Sequence, residues 1–228
     1  MLFCSTRDKD ARVTASQAIL SGLAPDGGLY LPCELPQFTE QQIDRMKKMD
    51  YRQTALTVLQ AFLPDYTAEE LEDAIGKAYG SNFSSSQIAP LTSVKGNMWS
   101  LELYHGPTCA FKDFALQMLP HLMAGAMKKH ADGKTIAILV ATSGDTGKAA
   151  LAGFQDVPGI KITVFYPDGG VSKVQRAQMV TQEGENVNVC AVRGNFDDAQ
   201  TGVKNIFAAC RGKDMKYSLS SANDTKAY

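Results

Sequence analysis

Lys112 is the residue best placed to do chemistry in this sequence. It lies in His105-Gly106-Pro107-Thr108-Cys109-Ala110-Phe111-Lys112-Asp113-Phe114-Ala115, where aromatic and small apolar neighbours replace the charges that usually surround a surface lysine. Phe111, Phe114, Ala110 and Ala115 are expected to strip water from the ammonium and lower its pKa. A neutral lysine amine attacks carbonyls and holds them as Schiff bases, and pyridoxal 5'-phosphate is the commonest cofactor to need one. The same residues also allow a core-edge lysine that snorkels to water or pairs with Asp113. Local composition does not separate the two readings.

A second group with chemical potential is Thr142-Ser143-Gly144-Asp145-Thr146-Gly147. It follows the apolar run Thr135–Ala141 and precedes a helical stretch from Lys148 to Phe154, so it reads as a strand-to-helix loop. Such a loop turns several backbone N–H groups toward an anion. Its glycines permit close approach, Ser143 and Thr146 add hydroxyl donors, and Asp145 could accept from a phenol or a protonated nitrogen. The pattern is neither G-x-G-x-x-G nor the P-loop, which argues against dinucleotide and P-loop nucleotide binding. A capped turn of the kind found in many α/β proteins would use the same residues.

Other chemistry finds less support. His105, His121 and His130 show no metal-ligand spacing, so no metal site is expected. The five cysteines are odd in number and never form C-x-x-C, which disfavours a disulfide framework or a zinc knuckle. His105, set before Gly-Pro, reads as a hydrogen-bonded turn residue more readily than as a catalytic one.

Both groups sit in the part of the chain with strand–helix alternation. Strand Trp99–Tyr104 leads to Lys112, followed by a helix from Ala115 to Lys129 with Pro120 as a break. Thr135–Ala141 has the continuous apolar character of a strand buried on both faces. Strand Ile160–Tyr166, helix Ser172–Gln182, strand Val187–Val192, helix Phe196–Cys210 and a strand near Tyr217–Ser220 continue the rhythm, predicting right-handed crossovers over a parallel sheet. Upstream, Ser16–Leu20 has helical spacing, Pro25-Asp26-Gly27-Gly28 suits a tight reversal into a short apolar strand, and residues 39–80 predict three amphipathic helices. Thr39 with Gln42 and Thr67 with Glu70 form capping-box patterns. The polar stretch Ser81–Ser86 suggests a mainly helical region over 1–90 and an α/β region, carrying both groups, over 91–228.

The 228 residues have net charge -1, 44% apolar content and 21% charged content. No basic patch or like-charge run suggests nucleic acid or an acidic membrane surface. No apolar run approaches a membrane span, and the charged stretch from Thr6 to Arg12 does not read as a signal peptide. A cytoplasmic protein is expected.

Taken together, His-Gly-Pro-Thr-x-Ala-Phe-Lys-Asp and the later Ala-Thr-Ser-Gly-Asp-Thr-Gly closely resemble threonine synthase, a pyridoxal-phosphate enzyme of fold type II. Asp26-Gly27-Gly28-Leu29-Tyr30-Leu31-Pro32, Tyr166-Pro167-Asp168-Gly169-Gly170-Val171-Ser172 and Leu219-Ser220-Ser221-Ala222-Asn223 look like the same family and keep its order. The resemblance implies that Lys112 carries the internal aldimine and that Phe111 helps shape the cofactor pocket. It implies that Asp145, where related enzymes often have asparagine, lies near the cofactor's 3'-oxygen. Thr142, Ser143, Gly144 and Thr146 would receive the substrate's α-carboxylate, and Lys148 its phosphate or only solvent. The implied reaction converts O-phospho-L-homoserine and water into L-threonine and phosphate, as in threonine biosynthesis. Its oligomeric state is left open.

Two departures qualify the resemblance. Cys109 stands where leucine is usual and is expected to pack as a small apolar side chain. Family members are also roughly twice as long, and their second half supplies the cofactor-phosphate loop and the other wall of the cleft. This chain is therefore expected to be an N-terminal portion, inactive alone, whether cut from a longer chain, truncated or frameshifted. A phospho-lyase of the same family and a non-catalytic folded module are the competing readings.

Overall fold

The computed structural model describes residues 1–130 and 133–210. Its N-terminal part opens with β1 (Phe3–Ser5), β2 (Arg12–Val13), α1 (Ala15–Ser21) and β3 (Tyr30–Pro32), the strands forming a small antiparallel sheet in the order β2-β1-β3. Only the last of these strands is legible in the sequence, because two or three residues cannot display an alternation. The predicted reversal at Pro25–Gly28 is present. Asp26 accepts from the Gly28 N–H at 2.7 Å and from the Ser5 hydroxyl at 2.8 Å, and Gly27 takes a φ of +78°.

Three helices follow as expected, α2 (Glu40–Met46), α3 (Tyr51–Phe62) and α4 (Ala68–Ala78). The boxes at Thr39/Gln42 and Thr67/Glu70 are both formed, and Asp50/Gln53 adds another. Helix α4 buries Leu71, Ala74, Ile75 and Ala78 on one stripe, with Tyr79, Phe83 and Ile88 completing an apolar cluster.

The region before Lys112 departs from expectation. Instead of a first parallel strand from Trp99 to Tyr104, β4 (Leu91–Lys95) and β5 (Met98–Leu101) form an antiparallel hairpin whose residues are all exposed. Gly96, at φ +56°, makes the reversal. The helix expected from Ala115 is two, α5 (Asp113–Leu116) and α6 (Leu119–His130). The break falls at Gln117–Met118, and Pro120 sits in the first turn of α6, where its missing N–H costs nothing.

Beyond this, prediction and structure agree. β6 (Ile136–Ala141), α7 (Asp145–Phe154), β7 (Ile160–Pro167), α8 (Lys173–Val180), β8 (Val187–Val192) and α9 (Phe196–Cys210) alternate, and the strands form a parallel sheet in the order β6-β7-β8. Its core comprises Ile138, Val140, Leu151, Phe154, Ile162 and Val164 among others. The strand expected near Tyr217–Ser220 and the motif Leu219–Asn223 lie outside the described residues.

Helix α6 serves both cores. Met118 precedes it and Leu122 lies on it, and both join the helical cluster, whereas Met123 joins the sheet cluster. At its C-terminal turn the Lys129 amine donates to Glu70 at 2.7 Å and to the Asp65 carbonyl at 2.6 Å, above the Tyr66 ring. The Lys129 hydrogen bond holds Glu70 below its ordinary carboxyl pKa. A folded-state value lowered in this way stabilises above the ordinary carboxyl pKa and loses that contribution as pH falls through the folded value. Glu70→Gln, which keeps the capping box, should flatten this acid-side loss in thermal melts. The pair is only part-buried and at the edge of the molecule's helical cluster, so the neutral-pH cost should stay at about 1 kcal/mol.

Candidate active site

The loop before α5 is fastened from within. Asp113 is fully buried and accepts from the Thr108 N–H at 2.9 Å and the Thr108 hydroxyl at 2.6 Å. Gly106 passes so close that a Cβ there would lie 2.4 Å from Asp113 Oδ2. Burial pushes the Asp113 carboxyl above its ordinary pKa, against the pull of the Thr108 donors. His105 has both ring nitrogens engaged, Nε2 with Glu102 at 2.7 Å and Nδ1 with the Ser84 hydroxyl at 3.0 Å. It is the turn residue the sequence suggested.

These bonds leave Lys112 apart. Asp113, the partner considered for it, is spent on Thr108, and the Lys112 amine makes no hydrogen bond or ion pair among the described residues. It lies 5.1 Å from the centroid of the Phe111 ring. The expected apolar sheath is not closed: Phe111 is 62% exposed and Ala115 is exposed. The Phe114 ring turns instead toward Phe83 at 5.3 Å and Tyr51 at 5.9 Å. Because α5 begins only at Asp113, Phe111 remains on the outer loop while Phe114 rotates into the helical core. Cys109 also departs from expectation, since it is exposed at φ +60° and forms the loop's turn rather than packing.

The second loop joins β6 to α7. Thr142 is completely buried, and its hydroxyl oxygen accepts from the N–H groups of Gly144 at 3.0 Å and Gly147 at 2.9 Å. Thr142 therefore orders the loop from inside rather than facing its mouth. Gly144, at φ +146°, leaves no room for a Cβ beside the Gln175 side chain. The N–H groups of Ser143, Asp145 and Thr146 carry no hydrogen bond among the described residues. Free N–H groups at a helix N-terminus are of the kind that suits an anion. Thr142→Val should leave the Gly144 N–H without its acceptor, the Gly147 N–H keeping the Gly144 carbonyl at 3.1 Å, and cost about 1–3 kcal/mol. Faster hydrogen exchange confined to residues 143–147 would distinguish this from general unfolding.

Asp145 is exposed and accepts from the Gln175 amide at 2.8 Å. Gln175 was not among the residues read as functional, although Ser172 and Gln175 form a capping box at the start of α8 that the sequence spells out. Lys148 is half-buried and bonded to Gln182 near the end of α8. Burial lowers its amine below the ordinary pKa, while nearby Asp113 opposes the shift.

Packing brings the two loops to one end of the molecule. Asp113 and Lys148 are close enough to feel each other's charge, and Gly153 packs on the Leu116 carbonyl so tightly that a Cβ would lie 1.9 Å from it. The Gly153–Leu116 packing, with Asp113 in electrostatic range of Lys148, sets α5 and α7 side by side in the same sense. Their N-termini, with Lys112 on one and Ser143–Asp145 on the other, thus open together at the carboxyl end of β6. Ligands of α/β sheets bind at that edge.

Comparison with known proteins bears on the family and the fold. Residues 2–79 match the family described as the threonine synthase N terminus. Threonine synthase of Pseudomonas aeruginosa is 41% identical over 209 residues, covering 91% of this chain and 44% of the relative. The crystal structure of pyridoxal-phosphate-bound threonine synthase from Brucella melitensis superposes with a TM-score of 0.88 at 39% identity, over 98% of this chain and 48% of that one. This chain matches the N-terminal portion of threonine synthases. The yeast threonine synthase structure agrees, with a TM-score of 0.87 at 33% identity over 97% of this chain and 46% of that one. Human threonine synthase-like 1 is 39% identical over 221 residues, 90% of this chain and 29% of that protein. The chain thus spans about half the length, or less, of the relatives it matches. Its fold is that of the corresponding part of the fold type II threonine synthases. Among the described residues, no helix is long and apolar enough to cross a membrane.

Proposed function

We propose that this chain supplies the lysine-bearing, carboxylate-binding side of a pyridoxal 5'-phosphate site that converts O-phospho-L-homoserine and water into L-threonine and phosphate. One observation carries the reading. Among the described residues the Lys112 amine and the Ser143, Asp145 and Thr146 N–H groups have no partner, and α5 and α7, whose N-termini carry them, open at the same end, while Asp113, His105 and Lys148 are all engaged. A free primary amine fits the cofactor's aldehyde, and a helix N-terminus with vacant N–H groups fits the α-carboxylate.

Bound pyridoxal phosphate supplies an electron sink for charge developing at the substrate's Cα. Lys112 anchors the cofactor and, once released, takes the proton from Cα and returns protons at the neighbouring carbons. The Ser143, Asp145 and Thr146 N–H groups orient the α-carboxylate, while Gly144 gives its own N–H to Thr142, which holds the loop backbone in place. Asp145, steadied by Gln175, would be the residue to meet the cofactor's 3'-oxygen, and the exposed Phe111 ring would offer an apolar wall. Lys148 adds positive charge behind the loop toward the substrate phosphate.

A phospho-lyase that releases phosphate without hydrating Cβ is the second reading. Identity to the protein named threonine synthase-like 1 is close to that with the bacterial synthase, so identity alone does not choose between the two readings. The test joins this chain to the C-terminal portion of the P. aeruginosa enzyme and supplies cofactor and O-phospho-L-homoserine. Phosphate with equimolar threonine supports the synthase, and phosphate without threonine supports the lyase. Release of neither, from a folded chimera, would leave a non-catalytic module.

A further inference from the structure

The stretch Tyr166–Ser172 carries no reactive group of its own, yet it delivers one side chain to the anion loop. Gly169 turns at φ +76°, the Gly170 N–H donates to the Pro167 carbonyl at 2.9 Å, and the Asp168 N–H donates to the Val192 carbonyl at 2.8 Å. Helix α8 then starts with Ser172 as its N-cap. The Gln175 side-chain oxygen accepts from the Ser172 N–H at 3.0 Å, which fixes the way the amide faces. Its nitrogen is left to donate to Asp145 Oδ1 at 2.8 Å. The same side chain lies so close over Gly144 that a Cβ there would run into its amide. Gln175 is thus tied at one end to its own helix and at the other to the first residue of α7.

Asp145 is an exposed acid at the start of α7, and the N–H groups of Ser143, Asp145 and Thr146 beside it have no partner among the described residues. Carboxylates in the first turn of a helix are drawn to such groups. An Asp145 side chain free to turn would therefore take the place of an incoming carboxylate. We infer that Gln175 is a positioning residue that holds the Asp145 carboxylate off these N–H groups and so keeps them open for the substrate's α-carboxylate. Its substrate half rests on the synthase site proposed above, whereas the hold on Asp145 does not.

Amide exchange measured residue by residue on the cofactor-free chain tests the hold. Gln175→Glu keeps an acceptor for the Ser172 N–H but loses the donor to Asp145, and Gln175→Met loses that donor without adding charge. In both, the amides of Ser143, Asp145 and Thr146 should exchange at least threefold more slowly than in the parent, because Asp145 turns onto them. A residue that only braced the loop would give faster exchange. Adding Asp145→Ala should abolish the slowing. In the chimera with the P. aeruginosa C-terminal portion, both variants should raise KM for O-phospho-L-homoserine at least tenfold. Saturating substrate displaces the competing side chain, so kcat should fall less than threefold. Unchanged or faster exchange would overturn the inference, even where KM rises. Slower exchange with an unchanged KM in an active chimera would keep the hold on Asp145 and remove the α-carboxylate from this loop.

Discussion

Lys112→Ala should lower phosphate release from O-phospho-L-homoserine by roughly 10²- to 10⁴-fold on proton-transfer grounds alone, in the chimera that completes the site. Loss of the anchoring amine should deepen the defect. Lys112→Arg should fail as well, because a guanidinium keeps the charge but neither links to an aldehyde nor gives up its proton at working pH. The stability of both variants should stay close to that of the parent, since the amine makes no hydrogen bond or ion pair among the described residues. That contrast is the useful one: a snorkelling core-edge lysine would lose stability and keep its rate. Initial rates measured beside thermal melts separate the two.

The second large effect is structural. Gly153→Ala sets a methyl group 1.9 Å from the Leu116 carbonyl oxygen and 2.8 Å from its carbon. Neither is the movable end of a side chain, so α7 and α5 must separate. Overpacking of this kind costs about 1–3 kcal/mol or more, against roughly 1 kcal/mol gained from alanine's better helix propensity. A net loss of up to about 2 kcal/mol in urea denaturation is expected. Gly76→Ala on α4, where a Cβ would meet nothing within 4 Å, serves as the control and should stabilise by up to about 1 kcal/mol. The Gly153 variant should also weaken cofactor binding, because the same packing aligns Lys112 with the anion loop.

How much of this was legible follows from how local each signal is. The run Ile136–Ala141 declared a buried strand, and Thr39, Thr67 and the glycines of the 142–147 loop declared caps and turns, because side chain and backbone act there within a few residues. The lysine and the loop could each be named as chemical from their own residues, but only the family resemblance, and no local signal, implied their meeting. It depends on Gly153 against Leu116, a contact between helices separated by β6. The sheath expected around Lys112 failed because the start of α5 at Asp113 decides which of Phe111 and Phe114 turns inward, and helix starts are poorly fixed by composition. Thr142 read as a ligand since a hydroxyl in such a loop can face either way; only its complete burial assigns it to the backbone. The Val94–Met98 reversal was overlooked although Gly96-Asn97 spells a hairpin turn.

The central claim is that Lys112 is the cofactor lysine. Its most direct test is the absorbance spectrum of the chimera titrated with pyridoxal 5'-phosphate, beside the same protein carrying Lys112→Ala. A Schiff-base band near the visible edge that forms in the parent, vanishes on borohydride reduction and leaves the label on the Lys112 peptide is the result expected, with no such band in the variant. An equal band in Lys112→Ala, or a label recovered on another lysine, would contradict it.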